Sequence, residues 1–464
     1  MLEFVLTSNS PGEVAGWLTP VAEALVEQFP TARLLVFLPP CDFASGSEKA
    51  VASTLPGISR VFGPGEYVRF ALTGRLPGEG IGKPRRRGGC SNRGEGYRQA
   101  RNARKGAVLF LGGDLLHAVL LSRRFGLPAF AYTEGFARWS GRFERFFLPD
   151  ERAWERARHR YGAPPEKLLV VGNLMVDAVH RALRRARGDA RSHFDHYYYR
   201  PAFILLPGSR PSEFRQVLGL FVRAALDLVD FWSSRYPGLP VPQPVMLLSP
   251  FISWELVEET LAGGREHPDR FLFPLNGRLE PPPAGRPAGP AGDAEIRMLV
   301  TGGKRLPVYR VSAPARYQLM EEAAAALCLP GTVTMEMAAL GLPHVAALPL
   351  QRPDLVPLPG VAGVLGGLPG VGGSVRRAAV RRVLAGRRLF SWPNRLAGST
   401  VVPEVVGEVT PARLADALAT LLAGEIAYNL QGRVSPCREQ LQRLAGPAGA
   451  ARRLVEAMAR DLLL

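Results

Sequence analysis

A loop of small residues separates a buried apolar strand from a long amphipathic helix in the middle of the chain. Positions 205–213 read Leu-Leu-Pro-Gly-Ser-Arg-Pro-Ser-Glu. Such a turn directs backbone N–H groups and the positive end of a helix toward one point, where a phosphate fits, and Arg210 can bind its oxygens through two hydrogen bonds. When the stretch is taken alone, a plain strand-to-helix turn explains the same residues, with Ser209 or Ser212 as the helix cap.

A second stretch, at positions 329–343, predicts another helix that begins at a glycine. It reads Leu-Pro-Gly-Thr-Val-Thr-Met-Glu-Met-Ala-Ala-Leu-Gly-Leu-Pro, so Gly331 and Thr332 open a helix whose N-terminal amides can hold an anion. Glu336 lies one helical turn after Thr332 on the same face, where a carboxylate suits a ribose diol better than a phosphate. The closing Gly-Leu-Pro is interpreted only as a helix stop.

A third stretch, Trp-Pro-Asn-Arg-Leu-Ala-Gly at 392–398 with Val-Pro-Glu at 402–404, is uninformative in isolation. The order and content of the three stretches together resemble the lipid-A-disaccharide synthases, a family of glycosyltransferases with the GT-B fold. That family carries Leu-Pro-Gly-Ser-Arg-x-x-Glu, then Gly-Thr-x-Thr-x-Glu, then Pro-Asn-x-Leu-Ala-Gly and Val-Pro-Glu. The chain matches these patterns in the same order.

The N-terminal half is also similar to this family, with departures. Ser-Pro-Gly-Glu-Val-Ala-Gly at 10–16 stands where the family has Gly-Glu-x-Ser-Gly, and Val-Gly-Asn-Leu-Met-Val-Asp at 171–177 where it has Val-Gly-His-Pro-x-x-Asp. The acidic Asp-x-Pro-Asp-Phe-Asn loop of the family becomes Gly-Gly-Asp-Leu-Leu-His at 112–117, in which Asp114 is the nearest match to the essential Asp. Pro330 replaces a serine before Gly331. These changes fall largely on the acceptor side.

The resemblance implies a role for each of these positions. A UDP-sugar donor is expected in the C-terminal half, and the acceptor enters from the N-terminal half. Asp114 is expected to act on the acceptor hydroxyl as base or orienting group, and Arg210 to stabilise the charge that develops on the diphosphate. Glu336 holds the ribose, and no metal and no cofactor is required. The expected donor-binding residues are Gly208, Ser209, Arg210, Glu213, Gly331, Thr332, Glu336, Asn394 and Glu404. The expected acceptor-side residues are Ser10, Gly12, Glu13 and Asn173; a simple charge at a helix N-terminus is an alternative explanation of Glu13.

Strand-like and helix-like stretches alternate along the chain, which predicts an α/β fold. Among them are predicted strands from Leu2 to Thr7 and from His344 to Leu348, and a predicted helix from Leu115 to Phe125. With the resemblance, we expect a GT-B-like architecture of two Rossmann-like domains facing a cleft, with C-terminal helices. The expected divisions are an acceptor domain at 1–178, a nucleotide-sugar domain at 179–430 and a helical tail at 431–464. A flexible insertion is expected at about 74–105, which is rich in Gly and Arg and lacks periodicity.

Composition favours a globular protein with an anionic partner. The 464 residues are 47% hydrophobic and 21% charged, and no apolar run is long enough to cross a bilayer. The net charge is +17, so nucleic acid, anionic phospholipid and phosphorylated substrates are each possible anionic partners. A compositional bias of the source genome explains this charge equally well. Nucleic acid is not expected as a partner, because the basic segments lack interleaved aromatic residues. The four cysteines have no metal-ligand spacing.

The start of the chain lacks a signal-peptide pattern, so a cytoplasmic location is expected, peripheral on the inner membrane surface. A lipid or glycolipid acceptor requires contact with lipid, and the stretch 67–75 suits it, although an ordinary amphipathic core helix explains that stretch too. The C-terminal helices allow a homodimer.

The leading interpretation is a glycosyltransferase that moves a sugar of the N-acetylglucosamine type, acylated or not, from a UDP-sugar to a lipid-linked acceptor. Two alternatives within the fold are a GT-B enzyme with another glycolipid acceptor, such as diacylglycerol or a polyprenyl-linked sugar, and a UDP-sugar epimerase. A catalytically silent protein that binds a nucleotide sugar or lipid is the alternative from a different class.

Overall fold

The computed structural model describes residues 2–41, 46–76, 105–186, 201–267, 271–283, 295–351, 386 and 388–464. The chain divides into two compact units. The N-terminal unit comprises Met1–Ala178 and Pro447–Leu464, and the C-terminal unit comprises Val179–Gly446. Almost all of the insertion expected at 74–105 lies outside the described residues.

The N-terminal unit is built on a seven-stranded parallel sheet with the order β3-β2-β1-β4-β5-β6-β7. Its central strands β1 and β4 are apolar from Phe4 to Leu6 and from Ala107 to Phe110, as is typical of parallel strands covered on both faces. The strand order reverses between β1 and β4, where Thr7 pairs with Phe110 at the carboxyl ends. The strands are β1 Leu2–Thr7, β2 Arg33–Phe37, β3 Ile58–Phe62, β4 Lys105–Phe110, β5 Ala129–Tyr132, β6 Arg145–Leu148 and β7 Leu168–Val170.

Helices follow the strands of this unit in sequence. The first is preceded by a helical turn at Pro11–Glu13 and a π-helical turn at Val14–Leu18, which continue directly into it. The fourth matches its predicted bounds, since an Asp cap and a Gly stop enclose its apolar positions. The helices are α1 Thr19–Gln28, α2 Glu48–Ser53, α3 Pro64–Thr73, α4 Leu115–Phe125, α5 Glu151–Glu155 and α6 Leu174–Ala186.

The C-terminal unit is built on an eight-stranded mixed sheet with the order β10-β11-β12-β9-β8-β13-β14-β15. The strands from β12 to β15 in this order are parallel, and β10, β11 and β12 pair antiparallel at one edge. The strands are β8 Ala202–Leu206, β9 Gln243–Leu247, β10 Arg278–Glu280, β11 Glu295–Thr301, β12 Lys304–Arg310, β13 Ala325–Cys328, β14 His344–Pro349 and β15 Glu404–Gly407.

The core of this unit forms where its two long helices pack on the sheet. The 25-residue helix α7 buries Phe214, Phe221 and Trp232 completely, at the spacing of one helical face. The helices are α7 Pro211–Arg235, α8 Trp254–Glu266, α9 Ala313–Glu322, α10 Thr332–Leu340, α11 Trp392–Ala397, α12 Pro411–Leu430 and α13 Pro436–Ala445.

The C-terminal helical pattern, which the sequence predicts from Arg438 to Leu463, forms two helices and not one. Gly-Pro-Ala-Gly at 446–449 interrupts the helical pattern, and the chain passes from α13 in the C-terminal unit to α14 Ala450–Asp461 in the N-terminal unit. The N-terminus of α14 is capped from within that unit, because the buried carboxylate of Asp177 accepts from the backbone N–H of Gly449 at 2.5 Å and of Ala451 at 2.7 Å. Residues 431–464 are therefore divided between the two units. No helix in the described part of the chain is long and apolar enough to span a membrane.

Candidate functional site

Two loops with the expected phosphate-binding sequences meet at the carboxyl edge of the C-terminal sheet. Strands β8 and β13 are parallel neighbours, and their last residues, Leu206 and Cys328, pair in register. The loop after β8 leads into α7, and the loop after β13 leads into α10. Because both helices begin at the same edge of the sheet, their N-terminal N–H groups, which have no acceptor within their own helix, belong to one small region.

The backbone of the first loop passes close to a side chain of the second loop at Gly208. This residue has φ +99°, and a Cβ atom placed on it would lie 3.1 Å from Cδ1 of Leu329 in the neighbouring loop. A side chain here would be strained and crowded, so the turn requires glycine. Gly331 is exposed, and Ser209, Arg210 and Thr332 are half-buried. The loops are thus tightly formed yet accessible to a ligand.

Arg210 and Glu213 are partners in this structure. Arg210 is the N-cap residue of α7, and its Nη1 atom donates to Oε1 of Glu213, one turn into the helix, at 2.6 Å. The pair is about one-third exposed on the arginine side and one-quarter on the glutamate side. A phosphate that binds Arg210 has to share the guanidinium with this carboxylate.

Glu336, the expected ribose ligand, forms a buried ion pair that the sequence patterns do not predict. Its Oε2 atom accepts from Nη1 of Arg316 at 2.9 Å, and the side chains are 6% and 13% exposed. Burial lowers the pKa of the Arg316 guanidinium, but the Glu336 carboxylate and the Tyr317 side chain together raise it more, so the net pKa lies above its ordinary value. Arg316 lies on α9, in a stretch with no motif around it, so no sequence signal identifies it.

Removing Arg316 should destabilise the protein strongly. Arg316→Met leaves the Glu336 carboxylate buried without its cationic partner, which costs about 3–5 kcal/mol of unfolding free energy. Denaturant unfolding followed by circular dichroism measures this change. Arg316→Met with Glu336→Leu should recover most of the loss, because neither charge then remains. The matched control is Arg215→Met, whose ion pair with Glu259 is exposed and contributes at most about 1 kcal/mol. A loss for Arg316→Met as small as that of the control would contradict this account.

Asn394 and Glu404, expected at the sugar end of the donor, bind each other and the surrounding backbone. Asn394 is fully buried, and its amide donates to the carbonyl of Val402 and to Oε1 of Glu404, both at 2.8 Å. Its Oδ1 atom accepts from the N–H groups of Val401 and Val402. Glu404 also accepts from Ser391 at the start of α11. These hydrogen bonds hold α11 against β15. Contact of Asn394 or Glu404 with a sugar stays a prediction.

Three of the four expected acceptor-side residues, Ser10, Gly12 and Glu13, follow β1 at the point where the strand order reverses between β1 and β4, whereas Asn173 follows the edge strand β7. Sites for ligands commonly form at such a reversal in a parallel sheet. Ser10 precedes the helical turn that contains Gly12 and Glu13, and all three are partly exposed. The loop after β4 lies directly against Glu13. Gly112 has φ +141°, and a Cβ atom on it would lie 2.2 Å from Oε2 of Glu13.

Glu13 has the environment of a carboxyl group that retains a proton more readily than usual. Burial raises its pKa above the ordinary value, although hydrogen bonds from the Ser10 side chain and from the backbone of Gly113, Asn9 and Ser10 oppose the shift. Its Oε2 atom is buried and has no hydrogen-bond partner among the described residues. A group of this kind, at the carboxyl edge of the sheet, can take up a proton from a substrate.

Asp114 caps the N-terminus of α4. Its Oδ1 atom accepts from the backbone N–H of Leu116 at 2.8 Å, and the residue is exposed. The next turn of α4 carries His117, whose Nδ1 atom lies 2.6 Å from the hydroxyl of Tyr67 on α3. Tyr67 and Phe70 are buried in the core, whereas Val68, Arg69 and Leu72 are exposed, which is the arrangement of an ordinary amphipathic helix. The catalytic role of Asp114 stays a prediction.

Asn173 also acts as a helix cap. Its Oδ1 atom accepts from the backbone N–H of Met175 at 3.0 Å, and it is buried. Arg453 on α14 donates to the carbonyl of Val171 just before it, and Asp177 caps α14. The segment 171–177 therefore attaches the last helix to the N-terminal unit. Among the described residues, no cluster of three or more His, Cys, Asp or Glu side chains is arranged to hold a metal ion.

No family model matches the sequence, and no curated protein matches it at a significant level. Solved structures do match. A protein of Listeria monocytogenes assigned as a candidate UDP-N-acetylglucosamine 2-epimerase is 12% identical. The alignment covers 100% of this chain and 97% of that protein, with a TM-score of 0.50. The UDP-GlcNAc 2-epimerase of Neisseria meningitidis is also similar, with 11% identity, an alignment over 100% of both chains and a TM-score of 0.48. MurG of Acinetobacter baumannii is 13% identical, and the alignment covers 99% of this chain and 100% of MurG with a TM-score of 0.46. The chain therefore has a two-domain α/β fold of the GT-B type.

Proposed function

We propose that the protein is a UDP-sugar enzyme, and that its activity is transfer of a sugar of the N-acetylglucosamine type to a lipid-linked acceptor, as in the lipid-A-disaccharide synthases it resembles. The observation that carries the proposal is the pair of glycine loops at the ends of the neighbouring strands β8 and β13, each opening a helix. Two helix N-termini and an arginine at one edge of a sheet suit a diphosphate, which carries two negative groups.

In the proposed reaction, the acceptor hydroxyl oxygen attacks the anomeric carbon of the donor sugar. The bond between that carbon and the diphosphate oxygen breaks, and UDP leaves with the electron pair. The negative charge that grows on the diphosphate is stabilised by Arg210 and by the amides at the starts of α7 and α10. Glu336, held in place by Arg316, binds the ribose hydroxyls with its remaining acceptor capacity.

The proton of the acceptor hydroxyl passes to a carboxylate of the N-terminal unit. We assign this step to Glu13, because its enclosed carboxyl group has a raised pKa and an unpartnered buried oxygen. Asp114, which is exposed and bound to a helix amide, is then the group that orients the acceptor. Both assignments rest on carboxylates at the carboxyl ends of β1 and β4.

Epimerisation of a UDP-sugar is the second candidate. The same donor site serves it, and a candidate UDP-N-acetylglucosamine 2-epimerase has the same fold with a TM-score of 0.50. An epimerase inverts the configuration at one carbon of the sugar and needs no acceptor. A transferase, in contrast, releases UDP only when an acceptor is present. A silent nucleotide-sugar or lipid binding protein does neither.

One experiment separates these functions. The protein is incubated in deuterated water with UDP-N-acetylglucosamine or its acylated derivatives, with and without an acylated glucosamine phosphate, diacylglycerol or a polyprenyl-linked sugar. Nuclear magnetic resonance follows UDP release and deuterium incorporation. Acceptor-dependent UDP release is the expected result. Deuterium at the sugar carbon without acceptor would establish the epimerase instead, and binding without either change would establish the silent protein.

A further inference from the structure

A loop of the N-terminal unit, residues 134–142, presents two large aromatic side chains to solvent. Phe136 is 50% exposed and Trp139 is 54% exposed, whereas Ala137 between them is buried. All six tryptophans of the chain lie in its described part, and Trp139 is the exposed one. One side of the Phe136 ring packs on Tyr161, with the ring centroids 5.9 Å apart, and about half of each of the two rings remains exposed as an apolar surface.

The exposure of these rings does not come from a loose loop. Lys167 donates from Nζ to the backbone carbonyls of Ser140 at 3.2 Å and of Phe143 at 2.6 Å. Arg156 donates to the carbonyl of Glu134 at the other end of the loop. Phe143 is buried in the core of the unit. The backbone is therefore fixed at both ends while the aromatic side chains point away from the core.

Trp139 also has an unusual backbone conformation. Its φ of +61° lies in the left-handed region, which side chains with a Cβ atom rarely adopt. The carbonyl of Trp139 accepts from the N–H of Arg142 at 2.7 Å, which closes the turn. Glycine or asparagine adopts this conformation more easily than tryptophan, and strain of this kind tends to occur where a side chain has a function.

Between positions 135 and 143 the charged residues are all positive, although Glu134 and Glu144 flank this stretch. Arg138 and Arg142 are exposed, and no acidic residue occurs between positions 135 and 143. Neither arginine forms an ion pair with the rest of the described chain. Tryptophan, phenylalanine and arginine together are typical of surfaces that meet the lipid–water interface, where the rings lie among the headgroups and the guanidinium groups bind phosphates.

We propose that the aromatic loop, Phe136 to Arg142, is the surface by which the protein contacts an anionic phospholipid membrane. Phe136 and Trp139 enter the headgroup region, and Arg138 and Arg142 bind lipid phosphates. The inference rests on the proposed function, since a lipid-linked acceptor has to be reached at a bilayer. Its test needs no sugar donor and no acceptor.

The test measures binding of the full chain to vesicles of phosphatidylglycerol and phosphatidylcholine. Phe136→Ser with Trp139→Ser should lower the partition coefficient roughly tenfold or more, because two apolar rings lose their burial in lipid. Arg138→Gln and Arg142→Gln should each lower it about fivefold. The matched control is Leu430→Ser with Val434→Ser, which removes side chains that are 64% and 61% exposed in the C-terminal unit. This control should bind as the wild type does.

A site-specific signal comes from Trp139 itself. Vesicles with brominated acyl chains should quench the fluorescence of the wild type more strongly than that of Trp139→Phe, because four of the other tryptophans are buried and Trp154 is half-buried. Vesicle binding that is unchanged in Phe136→Ser with Trp139→Ser would overturn the proposal, as would loss of binding only in Val68→Ser with Leu72→Ser on α3. A dimer that dissociates in the aromatic variant, without any vesicle binding, would assign the surface to a second copy of the chain.

Titration of the same variants with UDP separates this inference from the proposed function. UDP binding that persists while vesicle binding is lost supports both. Loop-dependent vesicle binding in a protein that does not bind UDP would leave the membrane surface standing and remove the donor site.

Discussion

Arg210→Ala is expected to weaken UDP binding about 10- to 100-fold, because a charge-assisted hydrogen bond to a phosphate contributes about 1.5–3 kcal/mol. The substitution also leaves the Glu213 carboxylate, now unpaired, beside the diphosphate. Calorimetric titration with UDP measures the change. Arg215→Ala on the same helix is the matched control, since its ion pair with Glu259 is exposed, and it should bind UDP as the wild type does.

A double variant separates the two contributions of Arg210. Arg210→Ala with Glu213→Ala still lacks the guanidinium group, but it also lacks the Glu213 carboxylate that repels the diphosphate. UDP binding should therefore be partly restored relative to Arg210→Ala. If Arg210→Ala binds UDP as tightly as Arg215→Ala does, the loop after β8 does not hold the diphosphate.

Glu13→Gln is expected to reduce turnover about 10²- to 10⁴-fold without changing UDP binding, because the amide cannot accept the proton of the acceptor hydroxyl. The carboxylate is the reactive form, and burial raises its pKa. Turnover should therefore fall as the pH drops through a value above 4.5, the ordinary pKa of a glutamate. The residual turnover of Glu13→Gln should not show this fall as the pH drops.

Stability gives an independent check on Glu13. Its pKa is higher in the folded than in the unfolded chain, so the unfolded state binds fewer protons between these two values and stability decreases as the pH rises through them. At neutral pH, Glu13→Gln should then be at least as stable as the wild type. Asp114→Asn is the companion variant, because asparagine is also a good helix cap. It should lose no more than about tenfold in turnover; if it loses more than Glu13→Gln does, Asp114 is the base.

Much of the fold could be predicted because apolar periodicity and helix-boundary residues determine it locally. Helix α4 matches its predicted bounds, and β1 and β14 begin at the predicted residues. The antiparallel edge formed by β10, β11 and β12 was not predicted, although Gly302-Gly303 between β11 and β12 is a hairpin signal. Arginines and a lysine in these edge strands weaken the apolar alternation on which strand prediction depends.

The candidate site could be predicted only where its residues are contiguous in sequence. The glycine loops after β8 and β13 could be recognised, because each is a single motif. The pairing of Arg316 with Glu336 spans 20 residues, and that of Asp177 with Gly449 spans 272. Contacts between residues so far apart in sequence depend on the tertiary fold. A sequence pattern also cannot reveal that the Asn394 side chain forms hydrogen bonds with the backbone.

Calorimetric titration of the wild-type protein with UDP, alongside uridine and inorganic pyrophosphate, measures binding at the two glycine loops. We expect saturable binding of one UDP per chain, with weaker binding of pyrophosphate and weaker still of uridine, because the loops after β8 and β13 hold the diphosphate. Absence of UDP binding, or equal binding of UDP and uridine, would contradict the central claim that this edge of the C-terminal sheet is a nucleotide-diphosphate site.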